Sequence, residues 1–210
     1  LGDNITFVSA LQDYDHVSGE PGVKLPAFAF VIELDEAEEA TDIFQLFFQT
    51  LLSVLNFEAG QQNRQPWLIE TEMHGEVKIT KARYLDKPKG ESLPIVFNFL
   101  PASARVGDRY IVSSSLDLCR HLIDAVQDPA QNARQDHNHD FGVRFETLAT
   151  ILEANTGHFE AQRVGEGRTA REAKADVALF LSLLRGLDSF SFSTAANEDG
   201  VTVQVEAKAR

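Results

Sequence analysis

The chain has 210 residues, 43% of them apolar and 24% charged, which is long and apolar enough for a sizeable core and argues against disordered, collagen-like and membrane-spanning classes. Its 19 Lys and Arg against 32 Asp and Glu leave a formal charge of −13, so a phosphate backbone or an anionic membrane surface is repelled at long range and no nucleic-acid partner is expected. No apolar run reaches the roughly eighteen residues that a membrane helix requires, so no transmembrane segment is expected.

Residues 1–26 are polar and punctuated by Gly19, Pro21, Gly22 and Pro26, which predicts an irregular N-terminal segment with at most a short strand at 5–9. Phe28, Phe30, Ile32 and Leu34 then alternate with Ala27, Ala29, Val31 and Glu33. Both faces of that strand are largely apolar, which places it centrally in a sheet. Asp35 offers an N-cap, and Glu36, Glu38 and Glu39 crowd the first turn of a helix over 36–57, where its dipole favours negative charge. Ile43, Phe47, Leu51 and Val54 form one stripe of that helix, and Phe44, Phe48, Leu52 and Leu55 the next. Each such side chain contributes about 1.5–3 kcal/mol when fully buried, so the helix is expected to be the main organiser of the core.

A polar loop at 58–66 precedes three strand-like segments, 67–73, 76–84 and 93–100, with His74-Gly75 as a two-residue hairpin connection between the first two. A fourth strand, 109–113, follows a turn at Val106-Gly107-Asp108, completing the pattern of an antiparallel meander. The basic residues Lys78, Lys81, Arg83, Lys87 and Lys89 fit a solvated face or a protected sheet edge. Ser115 is placed to cap a helix over 115–127 with Leu118, Leu122 and Val126 facing inward. The single cysteine, Cys119, excludes an internal disulfide and fits a small buried hydrophobe.

Residues 128–140 carry no large apolar side chain and are expected to form a surface loop. Within it Asp136-His137-Asn138-His139-Asp140 has two histidines at a spacing that suits a metal, but no packed residue supports them before Phe141, so neither His137 nor His139 is nominated as a ligand. A helix over 144–155 follows. Thr169-Ala170-Arg171-Glu172 has capping-box spacing and opens a helix over 169–186 that Gly186 closes. Residues 189–208 alternate apolar and polar around Asn197-Glu198-Asp199-Gly200, a hairpin with one face buried and one wet.

These elements predict an α+β fold: an antiparallel, hairpin-rich sheet of six to seven strands packed against the Phe-rich helix at 36–57 and the helices at 115–127, 144–155 and 169–186. One domain is expected over 27–210. The chain starts at Leu1 with Met73 as its only methionine, which fits the C-terminal part of a longer protein. The sequence contains no P-loop, dinucleotide fingerprint, Gly-x-Ser-x-Gly elbow, His-Glu-x-x-His or EF-hand loop, and His16, His74, His121 and His158 are scattered singly. No catalytic, cofactor-binding or metal-binding residue is nominated, and a non-enzyme is expected.

Two segments carry a resemblance. Val106-Gly107-Asp108-Arg109-Tyr110-Ile111-Val112-Ser113-Ser114-Ser115 with the helix after it, and 155–208 with its Arg168-Thr169-Ala170-Arg171-Glu172-Ala173 helix start and Asp199-Gly200 hairpin, resemble the C-terminal region of uncharacterised bacterial exported or envelope proteins of a domain-of-unknown-function family. The resemblance implies a periplasmic, secreted or other cell-envelope location, an interaction or scaffold role, and partners among envelope proteins or other parts of the same protein. It implies no activity. The residues themselves suggest an alternative: fifteen Phe against one Trp and three Tyr fit a carrier of an apolar or lipid-like ligand, held between the sheet and the helix that bears Phe44, Phe47 and Phe48.

Overall fold

The computed structural model describes residues 2, 4–128, 139–197 and 200–210. They form two compact units, Leu1–Ala133 and Arg134–Arg210, where the sequence suggested one domain from 27 to 210. The division falls in the stretch without large apolar side chains, which has little to bury against either neighbour.

The first unit contains β1 (Ile5–Ala10), β2 (Ser18–Pro21), β3 (Ala27–Glu33), α1 (Ala37–Gln61), β4 (Trp67–His74), β5 (Val77–Tyr84), β6 (Lys89–Leu93), a 3-10 turn (Ile95–Asn98), β7 (Ala102–Val106), β8 (Arg109–Ser113) and α2 (Leu116–Gln127). Six strands form one antiparallel sheet in the order β1-β3-β8-β7-β5-β4. The predicted α+β class and antiparallel sheet are therefore present, and β3 is internal as its two apolar faces require. The segment expected as a strand at 93–100 instead supplies the end of β6 and the 3-10 turn, because Pro94 interrupts it and removes a backbone donor. The β4–β5 loop is Gly75-Glu76, one residue later than predicted, with Gly75 at φ +59°.

Side chains alternate across the sheet, so each face has its own composition. One face carries Ala27, Ala29, Val31, Ile79, Ala102, Ala104 and Ile111, and α2 packs on it through Leu116, Cys119 and Ile123. Leu118 joins a flanking cluster while Leu122 and Val126 are only partly buried, so the inner face of α2 is centred beside the predicted stripe. The other face carries Phe28, Phe30, Ile32, Val112, Tyr84 and Trp67 and receives α1 through Phe48 and Leu52. Of the two predicted stripes on α1 only the second supplies fully buried side chains. Phe48 is 1% exposed and Phe47 is 63% exposed.

The N-terminal residues are more ordered than their composition predicts. β1 pairs with β3 over its whole length, and β2 pairs in parallel with β6. At Gly19 the backbone has φ +129° and an added Cβ would lie 1.9 Å from Gly90 O, so that crossing demands glycine. The buried Asn98 ties this region down. Its Oδ1 accepts from Leu25 N at 2.8 Å, with Tyr14 Oη 3.0 Å away, and its Nδ2 donates to Val23 O and Ile95 O, both at 2.8 Å.

Of the basic stretch, Lys78, Lys81 and Arg83 lie on β5, which is internal between β4 and β7, whereas Lys89 lies on β6 of the two-stranded sheet. Arg83 pairs with Glu70 across the hairpin at 2.5 Å, and Lys81 pairs with Glu72. Arg120 of α2 reaches the same Glu72 at 2.6 Å and Asp117 at 3.1 Å, so this network fastens α2 to the β4–β5 hairpin.

The second unit contains β9 (His139–Arg144), α3 (Phe145–Glu153), α4 (Thr156–Gly165), α5 (Ala170–Arg185), β10 (Leu187–Asn197) and β11 (Gly200–Ala209). Its strands form a separate antiparallel sheet, β11-β10-β9, rather than an extension of the first. The capping box of α5 is present, with Thr169 N donating to Glu172 Oε2 at 2.9 Å. Ala149, Leu181 and Leu184 form the core with Phe145, Leu148, Leu152 and Val177 around them. The hairpin register sets Phe190 opposite Ala207 and Phe192 opposite Val205, as the alternation requires. The expectation of a buried face fails on β11, where Val201, Val203 and Val205 are all exposed. Glu198 and Asp199 of the predicted turn, and Asp136, His137 and Asn138 of the histidine pair, lie outside the described residues.

Two stability predictions follow from these contacts. Asn98→Leu strands the Leu25 N–H and two carbonyls, and unfolding in urea is expected to show a loss of about 3 kcal/mol. Partial burial raises the Glu72 pKa, but hydrogen bonds from Lys81 and Arg120 outweigh it and hold the carboxyl below its ordinary value. A depressed folded-state pKa gives stability that is present above the unfolded-state value and lost as pH falls through the folded one. Glu72→Gln is expected to cost about 1–2 kcal/mol at pH 7, and the gap from the parent protein should narrow in urea melts at about pH 3.

Candidate functional site

α1 has 25 residues, a length of about 37 Å at 1.5 Å per residue, yet only Phe48, Leu52 and Ala59 are buried along it. It seats on Trp67, Ala82 and Tyr84, towards the β4–β5 side of the sheet. Between α1 and the β8–β3 side lies an apolar cavity of about 940 Å³. Phe28, Phe30 and Ile32 of β3 and Val112 of β8 form its floor; Phe44, Phe47, Phe48, Leu51 and Leu55 of α1 form its wall. Phe44 stacks on Tyr110 with ring centroids 5.2 Å apart, and Phe28 meets Phe99 edge-on at 6.2 Å. The volume is at the upper end of the ~300–1,000 Å³ usual for small-molecule sites.

The far end of this groove is polar in a specific way. Asn56 of α1 accepts from Trp67 N at 2.7 Å and donates to Trp67 O at 2.8 Å, a double clamp that fixes the start of β4 to the helix. The Trp67 side chain is 8% exposed, and its indole Nε1 is buried without an acceptor. Arg64 lies three residues past the end of the helix, and its buried Nε also has no acceptor. Burial pushes the neighbouring Tyr84 hydroxyl up to about 12, opposed by the Trp67 N–H and by the Arg64 charge. The Trp67 N–H is near enough to the Tyr84 oxygen to oppose that shift but does not reach hydrogen-bond geometry. Tyr84 stays protonated at neutral pH and points its hydroxyl at Phe99 O, 3.3 Å away. Glu58 at the mouth is bonded by Gln62 Nε2 at 3.0 Å.

The other singled-out residues sit apart from the groove or act structurally. Ser114 Oγ accepts from Phe28 N at 2.9 Å and Ser113 Oγ donates to Ser115 O at 2.7 Å, so the serine run joins β8 to α2 and to β3. Ser115 is the N-cap residue of α2 but makes no side-chain capping bond. Cys119 is buried under α2, with its thiol pushed up to about 12 by that burial. His16 contacts Phe97 O at 2.8 Å and His74 contacts Asp124 at 2.7 Å. His139 is exposed on β9 opposite Thr194. Among the described residues, no three His, Cys, Asp or Glu side chains converge as metal ligands, and no helix is long and apolar enough to cross a membrane.

Phe44, Phe47 and Phe48, named from the sequence, do meet the sheet around one cavity. Asn56, Arg64 and Trp67 were missed. Asn56 was legible in principle, because it shares the inward stripe of α1 with Leu52 and Ala59, where an uncompensated amide is costly. Comparison with known proteins finds no family model, no curated protein and no solved structure that matches this chain.

The Asn56 clamp generates its own test. Asn56→Ala removes both partners of the Trp67 backbone, and a loss of about 2 kcal/mol in urea unfolding, with a red shift of Trp67 emission, is expected.

Proposed function

We propose that this chain is a non-catalytic binding domain that carries an apolar, lipid-like ligand in the groove between α1 and the six-stranded sheet. The cavity of about 940 Å³, whose floor and helix wall are mostly Phe, Leu, Ile and Val side chains, is the observation that supports this reading. A groove of this size and composition suits an apolar guest, since each apolar contact inside it removes area from water at about 25 cal/mol per Å². Its polar lining is Asn56, Glu58, Gln62, Arg64 and Gln65 towards the C-terminal end of α1 with Ser113 and Ser114 at the end of β8, and the one thiol is buried beneath α2. That set supports binding over bond-making chemistry. Placement in the cell envelope and a role in interaction with envelope partners, implied by the resemblance of 106–126 and 155–208, form part of the same proposal.

Binding of the neutral dye Nile red tests it. The dye should bind with a blue-shifted, enhanced emission, and Leu51→Glu, which sets a carboxylate into the groove wall, should weaken binding at least about tenfold. Leu51 is 41% exposed, so the melting curve of that variant should stay within about 0.5 kcal/mol of the parent. Absence of dye binding, or equal binding by the Leu51→Glu protein, overturns the reading.

A further inference from the structure

We infer that the ligand of this groove is a linear acyl chain ending in a carboxylate, with the Arg64 guanidinium and the Trp67 indole N–H as the head-group donors. The inference rests on the proposed ligand-binding role of the groove and specifies its chemistry. Two observations carry it, one from shape and one from unsatisfied polar groups.

The groove follows α1 from Phe44 to Ala59, fifteen residues or about 22 Å of helix, and then meets Arg64. A site that runs along a helix suits an extended, flexible chain better than a compact ring system. At its end two donors are buried with no acceptor, Arg64 Nε and Trp67 Nε1. Buried donors without partners are rare and cost free energy, so the occurrence of two on the wall of one cavity marks a place where an acceptor belongs. Arg64 makes no ion pair among the described residues, in a chain with 32 acidic side chains available. Glu58 is the acidic residue lining the groove, and Gln62 bonds it.

Both unsatisfied groups are donors, and one is permanently cationic, so the complementary ligand atom is an anionic oxygen. The Tyr84 oxygen lies near the indole N–H but outside hydrogen-bond geometry, and it carries no charge to balance the guanidinium. A carboxylate matches the guanidinium fork, and its second oxygen can take the indole N–H. A cationic or uncharged head group would leave Arg64 uncompensated. The double clamp from Asn56 holds the Trp67 backbone in place, so the indole donor is pre-positioned before any ligand arrives.

Trp67 is the only tryptophan in the chain, so its emission reports directly on the head-group end. The whole chain is titrated with palmitate, hexadecanol and hexadecyltrimethylammonium below their micelle concentrations, for the parent protein, Arg64→Gln and Arg64→Lys. Palmitate should shift Trp67 emission with 1:1 stoichiometry and bind at least about tenfold more tightly than hexadecanol, the gain expected of a charge-assisted hydrogen bond. Arg64→Gln should abolish that preference and leave hexadecanol binding unchanged, while Arg64→Lys should retain part of it. Equal binding of palmitate and hexadecanol, or a preference that survives Arg64→Gln, overturns the head-group assignment and leaves the apolar groove standing. If no C16 compound binds, the acyl-chain inference falls. Nile red then decides whether the groove reading falls with it.

Discussion

Everything in the first unit depends on a sheet that is apolar on both faces and unequal in side-chain size. Towards α2 the sheet presents Ala27, Ala29, Ala102 and Ala104 with Val31, Ile79 and Ile111, a shallow surface on which a helix sits close. Cys119 and Ile123 are accordingly fully buried there. Towards α1 the sheet presents Phe28, Phe30, Tyr84 and Trp67, whose rings stand high. α1 rests on Trp67 and Tyr84 and, through Phe44, on Tyr110, and the groove lies between the helix and the rings of Phe28 and Phe30. The cavity is thus a consequence of where small and large residues alternate along β3, β4 and β5, and close packing could remove it only by trading phenylalanine for alanine on the floor.

The N-terminal segment is ordered despite its polarity for a different reason. Residues 12–25 bury little apolar surface, so hydrophobic burial alone does not hold them. They are held instead by a set of directional bonds. Asn98 bonds Val23, Leu25 and Ile95, while Gln12 Nε2 donates to Leu25 O at 2.8 Å and His16 contacts Phe97 O. A fully satisfied buried amide of this kind specifies one register, because a shift by one residue leaves its donors and acceptors facing the wrong groups. That segment in turn backs the 3-10 turn carrying Val96 and Phe97, which close the groove beside Tyr84.

Much of this was legible in the sequence where one local rule decided the outcome. The strand at 109–113, the capping box at Thr169 and Glu172, and the pairing of Phe190 and Phe192 with the valine strand all follow from periodicity or cap spacing. What escaped has physical reasons. The helix α4 has no buried residue and starts at an Asn-Thr-Gly sequence that reads as a stop, but Asn155 is buried and its Nδ2 donates to Ile151 O at 2.9 Å, so α3 runs almost directly into α4. β7 is short and built of Ala, Ser, Ala, Arg and Val, whose strand character comes from its neighbours β5 and β8 rather than from its own propensity. The two stripes of α1 are equally apolar, so periodicity alone could not say which one faces the sheet. The unsatisfied donors of Arg64 and Trp67 were out of reach for a further reason: a missing partner is a property of packing, and no residue pattern announces it.

An open groove floored with phenylalanine has a thermodynamic consequence for the fold itself. Phe30, Phe47 and Leu51 remain in contact with water, and α1 is anchored mainly through Phe48, Leu52 and the Asn56 clamp at its C-terminal half. A guest in the groove would cover those side chains and complete the layer between helix and sheet. Because the groove exists only when α1 and the sheet are assembled, such a guest binds the folded state alone, and its free energy of binding adds to stability as RT ln(1 + [L]/Kd). Occupancy and stability of this unit are therefore coupled through α1, with the well-packed face under α2 serving as the part of the core that does not depend on the ligand.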